Sequence, residues 1–400
     1  MFGGDLSKLY CPLAPLQNQP LIRGREMKRR GSDGAADAIV ACDLLVFSEL
    51  LTRRDDAPPS DPLGAHDLSK PLIELIQNPT LLASLAGTGV RMVSVCIPCF
   101  NEQDFLPSCL KSVCASAAAA KVPVEIVVAD NGSTDHSVEV ARSYGAIVVS
   151  VPDAKTVPAV RNATIESARG NWLAFLDADV IVPLHWIERG IELFASDVVT
   201  GAANYRVPES AHWAARKWYN AAGRRTGKVR YISSSNLWVS KSMFSHLNGF
   251  AENLESDEDC DFCARAAKAG ARIVADPSLE ICHLGAETSL LQFFRRHQWH
   301  GMGALRSFIR NLPALANLRA MTIALYFLLL PLALLVSLGF GKWSLAGLIA
   351  ALIFAAACAM ALARNPSLKA LPEMVILCLV YGLARASSLL RLGPSKSPRS

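Results

Sequence analysis

Two uncharged stretches near the C-terminus constrain this chain more than any other feature. Residues 320–340 and 344–363 contain no Asp, Glu, Lys or Arg over 21 and 20 positions. Hydrocarbon offers no partner for backbone polar groups, so an apolar segment of about 20 residues crosses a bilayer as a helix. We predict a transmembrane hairpin here; a buried helical hairpin in a soluble protein is the alternative.

A third hydrophobic segment, residues 371–390, has a different character. A glutamate and an arginine bracket only eleven apolar residues in it. The positive-inside rule places Arg319 and Arg364, which flank the hairpin, on the cytoplasmic side. A third span would carry the basic tail to the other side, against that rule. We therefore predict an interfacial or re-entrant segment within a membrane region covering 320–400.

The segment 288–319, which precedes the hairpin, is basic and aromatic. No Asp or Glu occurs between 288 and 372, where eight Lys or Arg residues do. Arginines interleaved with Phe and Trp predict an amphipathic helix on anionic headgroups. A solvated basic helix is the alternative.

Strand and helix patterns alternate through residues 91–287, which we take as one catalytic domain. Apolar, β-branched runs predict strands at 93–98, 124–129, 146–151, 172–176 and 272–275. Helical spacing separates these runs, for example at residues 102–118 and, after the acidic cluster, at 262–269. Such alternation predicts an α/β fold with a doubly wound, mostly parallel sheet, whose ligands bind at the carboxyl ends of the strands.

Residues 1–90 form a poorly defined N-terminal extension. The apolar piece at 39–51 is too short and too charged to span a membrane. Met92 directly precedes the first strand, which raises the hypothesis that part of the extension lies upstream of a shorter native protein. Sequencing the native N-terminus tests this: a start at Met1 contradicts it.

Composition excludes several classes. A formal net charge of +5 from 40 basic and 35 acidic residues is not typical of a nucleic-acid binder, so no nucleic acid is expected as a partner. Eleven cysteines, an odd number with no secretory signal, indicate reduced thiols. The pairs Cys96/Cys99 and Cys260/Cys263 fall in predicted strands or helices, where filling the core is expected rather than zinc binding.

Polar clusters follow the predicted strands. Residues 99–102 follow the first strand, and residues 130–135 form a tight turn after the second, for which a plain Asx turn is the alternative. Asp177 and Asp179 follow the buried strand 172–176. Two carboxylates there are costly without a cation, and their oxygens suit Mg²⁺ or Mn²⁺ carrying a diphosphate. No dinucleotide or Walker glycine motif is present.

A further acidic cluster lies at residues 255–261. Its members are Glu255, Asp257, Glu258, Asp259 and Asp261. Part of this acidity fits a helix N-terminus, but its density suggests that one carboxylate acts as a general base. His283 could complete the metal site, although a lone histidine is more often structural.

The order of these motifs resembles a family 2 glycosyltransferase of the GT-A, nucleotide-diphospho-sugar transferase fold. The resemblance covers about residues 93–301. The matching pieces are VSVCIPCFNE (93–102), VEIVVADNGSTD (124–135), AVRNATIESARGNWLAFLDAD (159–179), SSNLWVSKSMFSHLNGF (234–250), EDCDFCARAAKAG (258–270) and CHLG (282–285).

The resemblance implies roles for individual residues. For donor binding it implies Pro98, Phe100, Glu102, Asp130, Arg161 and Asp177. For the metal, Mg²⁺ or Mn²⁺, it implies Asp177, Asp179 and His283. For catalysis it implies the pair Glu258 and Asp259, with Asp259 as the base. On the acceptor side it implies Asn236, Arg295 and Trp299.

One departure from the family narrows the expected reaction. Processive synthases carry Gln-x-x-Arg-Trp, whereas Arg296 follows Arg295 here. The resemblance then implies inverting transfer of a single sugar, from a UDP-sugar as the commonest donor, to a hydroxyl or phosphate on a lipid-linked or envelope glycan acceptor. The enzyme would be membrane-bound with a cytoplasmic catalytic domain, in the inner membrane if the source is bacterial. A nucleotidyltransferase and a non-catalytic glycan-binding membrane protein are the alternatives.

Overall fold

The computed structural model describes residues 92–120, 122–193, 195–254, 256–310 and 318–391. The N-terminal extension 1–90 and Glu255 lie outside this range. The strands are β1 Val93–Cys99, β2 Val124–Asp130, β3 Ile147–Ser150, β4 Trp172–Leu176, β5 Val180–Ile181, β6 Val198–Gly201, β7 Gly227–Lys228, β8 Asn236–Ser240, β9 Arg272–Ala275 and β10 Cys282–His283.

Eleven α-helices occur among the described residues. They are α1 Leu106–Ala120, α2 Ser137–Ser143, α3 Val157–Ser167, α4 Trp186–Leu193, α5 Trp213–Ala215, α6 Lys241–His246, α7 Glu258–Lys268, α8 Leu290–Arg310, α9 Leu318–Gly339, α10 Trp343–Arg364 and α11 Leu371–Ser388. Helix α5 continues into a π-helical turn, Arg216–Asn220.

Eight strands form one sheet in the order β3-β2-β1-β4-β8-β6-β9-β7. The first four are parallel, and β1 pairs with β2 from Val93↔Val124 to Cys99↔Asp130. Strand β8 runs antiparallel to β4 and β6, while β6 and β9 are parallel. The sheet is therefore mostly parallel, as predicted, with antiparallel strands in its second half.

Apolar side chains cover both faces of the sheet because successive strand residues point to opposite sides. On one face, Val95 and Ile97 pack in a buried cluster with Leu110 of α1. On the other, Phe175 lies 4.9 Å from Phe250, ring centre to ring centre, within a second cluster. Burial on both faces fixes the position of the sheet. The polar residues follow the carboxyl ends of its strands.

Element boundaries differ from the predictions mainly where loops bind one another. The helix expected from residue 102 begins at Leu106. The Glu102 amide instead donates to Ser137 Oγ at 2.8 Å, and the Gln103 amide donates to Asp135 Oδ2 at 3.1 Å. These bonds lock the loop after β1 to the loop after β2. The acidic helix begins earlier than expected, at Glu258.

Three helices in the described part of the chain are long and apolar enough to cross a membrane. They are Leu318–Gly339, Trp343–Arg364 and Leu368–Ser388. The first two coincide with the predicted hairpin, and many of their leucines are exposed, Leu335 by 65%. Apolar side chains turned outward in this way suit lipid rather than water.

The last helix, α11, contacts the catalytic domain and α8. Near its start, Glu373 Oε2 lies 2.6 Å from Lys217 Nζ, in the π-helical turn. Near its end, Gln298 of α8 donates to Ser387 Oγ at 2.7 Å. Between them, the Tyr381 ring lies 5.1 Å from Trp218. Helix α11 also packs against α9 and α10 and so joins the other apolar helices to the domain.

Candidate active site

Three predicted metal ligands meet beyond the end of β4. Asp177 and Asp179 follow this strand, and the pairing of His283 with Val180 brings β10 alongside. His283 Nδ1 lies 3.3 Å from Asp179 Oδ2, and its Nε2 lies 3.8 Å from Asp177 Oδ2. Potential ligand atoms of all three lie within 4.8 Å of one another. Two carboxylates and one imidazole fit a divalent cation.

Arg161 of α3 links this group to the acidic helix. It is buried, and it donates to Asp177 Oδ1 at 2.6 Å and to Glu258 Oε1 at 2.7 Å. Burial alone would raise the pKa of Asp177, but Arg161 and then His283 hold it well below its usual range. Asp177 is therefore ionised at neutral pH. The predicted contact of Arg161 with a donor diphosphate stays a prediction, because both terminal nitrogens already bind carboxylates.

Glu258 and Asp259 are neighbours with different surroundings. Glu258 accepts from Arg161 and, at 2.8 Å, from Ser234 Oγ. Asp259 accepts the backbone amides of Cys260 at 2.7 Å and Ser234 at 3.4 Å. Desolvation, followed by the charges of Glu258 and Asp257, raises the pKa of Asp259 to about 7. Glu258 is thus held in an ion pair, whereas Asp259 can gain or lose a proton near neutrality. The catalytic role expected for this pair stays a prediction.

The turn before this pair is strained and tightly packed. Asp257 has φ = 65°, in the left-handed region that non-glycine residues rarely adopt. Helix α8 lies against it: a Cβ added to Gly303 would stand 1.6 Å from Ser256 Oγ and 3.3 Å from Asp257 Oδ2. Desolvation raises the pKa of Asp257 to about 6. Close packing of α8 therefore shapes the turn that presents Asp259.

The predicted donor-binding residues gather at the ends of β1 and β2. The Asp130 carboxylate accepts the amides of Gly132 and Ser133, each at 3.2 Å, so an Asx turn is present. Phe100 is 45% exposed, while Pro98 and Glu102 are half-buried. A nucleotide-binding role for these residues stays a prediction.

Sequence reasoning missed Arg296. Its Nε lies 3.4 Å from Glu287 Oε1. Burial alone would lower its pKa, but Tyr205, Tyr219, Glu287 and Asp179 raise it. Arg296 is therefore a charged side chain that is paired with Glu287 and lies near Asp179 of the metal group. Arg295, predicted on the acceptor side, is exposed. Helical spacing contained the signal, because residue 296 lies three positions after the buried Phe293.

The other two predicted acceptor-side residues also have local partners. Asn236 is buried: its Oδ1 accepts from Trp186 Nε1 at 3.0 Å, and its Nδ2 donates to the Leu279 carbonyl at 2.6 Å. Both ends of its side-chain amide are thus hydrogen-bonded, and it joins β8 to α4 and to the segment around Leu279. Trp299 is half-buried, with its ring 4.9 Å from that of His300.

Comparison with known proteins identifies the domain. A family model described as "Glycosyl transferase family 2" matches residues 94–258, which include every strand from β1 to β8. The matched residues therefore form a glycosyl transferase family 2 domain. The match covers less than half of the chain, and His283 and Arg296 lie beyond it.

Curated relatives extend the similarity in sequence. The chain is 30% identical to glycosyltransferase AglE of Haloferax volcanii over 48% of this chain and 66% of that protein. It is 26% identical to the pre-mycofactocin glycosyltransferase of Mycobacterium tuberculosis over 56% of this chain and 49% of that protein. The matched region thus spans between about half and two thirds of these relatives.

A solved structure supports the fold. The mannosyltransferase PcManGT of Pyrobaculum calidifontis, in complex with GDP-Man and Mn²⁺, matches 80% of this chain and 99% of its own, with a TM-score of 0.52 and 16% identity. At this identity the likeness concerns the fold alone, and it confirms the GT-A architecture predicted from sequence.

Proposed function

We propose that this protein is a membrane-anchored, inverting, metal-dependent glycosyltransferase that moves one sugar from a nucleotide-diphospho-sugar to a lipid-linked acceptor. One observation carries the proposal: Arg161 binds both Asp177 and Glu258 and so joins the metal group to the helix that presents Asp259. The proposed cation site and the proposed base, Asp259, are thereby connected through one arginine.

The donor end is assigned to the metal group. Asp177, Asp179 and His283 would hold Mg²⁺ or Mn²⁺, which supplies neutralising charge for the donor diphosphate. Arg296 adds a second positive group near Asp179 and stabilises the negative charge that grows on the leaving diphosphate. The complex of PcManGT with GDP-Man and Mn²⁺ supports this assignment.

The acceptor end is assigned to Asp259. Its carboxylate takes the proton from an acceptor hydroxyl as that oxygen attacks the anomeric carbon. The bond from that carbon to the diphosphate oxygen breaks on the opposite face, so the configuration inverts. A phosphate acceptor is already ionised and needs no base, so a base with a pKa of about 7 favours a hydroxyl acceptor.

Lipid linkage is supported by relatives and by the membrane helices. The undecaprenyl-phosphate 4-deoxy-4-formamido-L-arabinose transferase of Aeromonas hydrophila is 33% identical over 26% of this chain and 34% of that protein. Three apolar helices would place the domain at the membrane, where a lipid-linked substrate is concentrated. We place the domain on the cytoplasmic side.

A donor screen tests the proposal. The purified full chain is incubated with UDP- and GDP-sugars and with Mg²⁺ or Mn²⁺, and released nucleoside diphosphate is measured. We expect release from one donor, dependent on the cation and abolished in Asp179→Ala. Asp197→Ala, which removes an exposed carboxylate paired with Arg272, serves as the control. Release that is independent of metal, or unchanged in Asp179→Ala, contradicts the proposal.

A further inference from the structure

Two stacked tyrosines lie next to one ligand of the proposed metal site. The Tyr205 ring lies 5.0 Å from the His283 imidazole, ring centre to ring centre, at an angle of 44°. The same ring stacks on that of Tyr219, at 4.8 Å and 29°. Tyr205 therefore connects the imidazole of the metal group to a second aromatic ring.

The backbone next to Tyr205 is bonded to the segment that carries His283. The His283 amide donates to the Arg206 carbonyl at 2.7 Å, and the Arg206 amide donates to the Ile281 carbonyl at 2.9 Å. Because residue 206 directly follows Tyr205, these two bonds hold the backbone of the tyrosine beside β10. The contact between the two rings is therefore set by the course of the chain as well as by packing.

Tyr219 is held in place by a buried carboxylate. Its hydroxyl donates to Glu287 Oε1 at 2.8 Å. Glu287 is only 4% exposed, and the same oxygen lies 3.4 Å from Arg296 Nε. Separating a buried pair of this kind leaves a charge without its partner, which is costly. Tyr219 therefore gives Tyr205 a fixed support.

Packing also joins Tyr219 to the apolar helices. Its partly buried ring packs against an apolar cluster that includes Trp218, Ala361 of α10 and Met374 of α11. The two tyrosines thus connect this cluster to the metal group.

The orientation of the His283 ring decides whether it can bind a cation. Its Nδ1 and Nε2 lie 3.3 and 3.8 Å from carboxylate oxygens of Asp179 and Asp177. A histidine that binds a metal commonly donates its second ring nitrogen to a group outside the ligand set, and that bond orients the ring. Here both nitrogens face carboxylates of the metal group, so the contact with Tyr205 is suited to the orienting role.

We propose that Tyr205 is a positioning residue for the metal centre. Its ring holds the His283 imidazole toward the cation, and Tyr219 and Glu287 support that ring. This proposal rests on the proposed function, because it concerns the cation assigned there to the donor diphosphate. Tyr205 is not a member of the ligand group and acts through His283.

Binding of Mn²⁺ to the full chain tests the proposal without any donor. Purified protein in nanodiscs of phosphatidylcholine is titrated with MnCl₂, and electron paramagnetic resonance measures the bound ion. Spin-echo spectra report whether a nitrogen ligand binds Mn²⁺, with His283→Ala as the reference without that ligand. We expect Tyr205→Ala to bind Mn²⁺ about tenfold more weakly than wild type and to lose the nitrogen signal. Tyr205→Phe keeps the ring and should retain both.

Tyr219→Phe makes a smaller change to the same support. It removes only the hydroxyl that binds Glu287, and the affinity for Mn²⁺ should fall by about threefold. The matched control is Tyr326→Phe, which removes a hydroxyl bond of the same length, 2.8 Å, to the Leu352 carbonyl. This control should bind Mn²⁺ as wild type does. If Tyr205→Ala does not fold, the comparison of these two phenylalanine variants decides the outcome.

Several results would overturn the proposal. They are wild-type affinity and nitrogen signal in Tyr205→Ala, weaker binding with the nitrogen signal intact, a loss in Tyr205→Phe as large as in Tyr205→Ala, and equal affinities in Tyr219→Phe and Tyr326→Phe. In each of these cases wild type still binds Mn²⁺, so the proposed function stands. If wild type binds no Mn²⁺, either alone or with UDP or GDP, the metal dependence of the proposed function fails together with this proposal.

Discussion

Two neighbouring carboxylates add to burial in raising the pKa of the proposed base, Asp259. Asp257 and Glu258 both raise the pKa of Asp259. Glu258 is bound to Arg161, whereas Asp257 Oδ2 is buried without a hydrogen-bond partner in the described structure. Asp257 is therefore the neighbour whose charge can be removed without breaking an ion pair in the site.

We predict that Asp257→Asn moves the pH profile of the reaction downward. Below a pH of about 7, wild-type Asp259 is protonated and cannot accept a proton, so kcat/KM should fall on the acid side. Asparagine tolerates the left-handed backbone and removes one negative charge, which lowers the pKa of Asp259. The midpoint of the acid limb should therefore move to lower pH in initial-rate measurements from pH 5 to 9.

Asp261→Asn provides the control for that profile. Asp261 lies on the same helix but is paired with Arg265 at 2.8 Å, and it is not among the main charges acting on Asp259. Its midpoint should match that of wild type. An unchanged midpoint in Asp257→Asn would show that another group controls the acid limb.

Arg296 offers a second test at the residue scale. Arg296→Ala should weaken binding of the nucleoside diphosphate with Mn²⁺ by at least tenfold, or about 1.4 kcal/mol, because a cation near Asp179 is lost. Arg296→Lys should recover part of this affinity. Calorimetry measures this affinity. The control is Arg295→Ala, which replaces the neighbouring, exposed arginine and should bind the nucleoside diphosphate as wild type does. Equal affinities for both alanine variants would exclude a donor role for Arg296.

At this scale, the sequence located the carboxylates but not every partner. Asp177 and Asp179 were predictable because residues following parallel strands share one edge of the sheet. His283 was expected from the family resemblance, and the antiparallel pairing of β10 with β5 brings it there. Arg296 was not, because the motif drew attention to Arg295, and one step along a helix turns the side chain by about 100°. Asn236 was placed on the acceptor side, although its amide binds Trp186 and Leu279.

Among the elements, α8 has the largest effect on the site. Its Gly303 leaves no room for a side chain beside Ser256 and Asp257. The sequence predicted a basic amphipathic helix in this region, but it gave no indication of which turn would touch the base. Such a contact depends on tertiary packing between segments about 45 residues apart.

We predict that Gly303→Ala lowers kcat several-fold with little change in the KM for donor. The added methyl would overlap Ser256 and displace the turn that presents Asp259, while the metal group stays in place. Steady-state kinetics with varied donor separates the two constants. A concomitant Ser256→Gly substitution should restore kcat, because it removes the overlapping side chain.

Gly347→Ala is the matched control. Gly347 lies in α10, where an added Cβ would meet nothing within 4 Å. This variant should retain wild-type kcat. If Gly303→Ala also retains wild-type kcat, α8 does not shape the turn that presents Asp259.

For the whole molecule, the course of α11 decides the membrane topology. Length and composition alone would allow residues 368–388 to cross a bilayer. Yet α11, about 27 Å long, meets the catalytic domain near its start at Lys217 and near its middle at Trp218, and meets α8 near its end at Gln298. Helix α11 also packs against α9 and α10. The interfacial or re-entrant course predicted from the charge balance therefore stays a prediction.

We predict that both ends of α11 lie on the side of the catalytic domain. Single cysteines at Leu368, Leu390 and Phe340 would report this, since these residues are 74%, 70% and 77% exposed. A membrane-impermeant maleimide applied to sealed vesicles should label the first two from the domain side and the third from the opposite side. The unsubstituted protein gives the background, and labelling of Leu390 from the side of Phe340 would show a third span.

The contact between Arg364 and Trp218 has a consequence for the choice of acceptor. The last residue of the hairpin donates Nε and Nη2 to the Trp218 carbonyl at 3.0 and 2.8 Å, and its Cζ lies 3.9 Å from the centre of the indole ring. A domain held this closely keeps its reaction centre at one height above the bilayer. The distance between the lipid of an acceptor and its reacting hydroxyl would then decide whether that hydroxyl reaches the site. Lipid-linked glycans of one, two and three sugars should show a single sharp optimum in rate, and equal rates for all three would mean that the domain tilts freely.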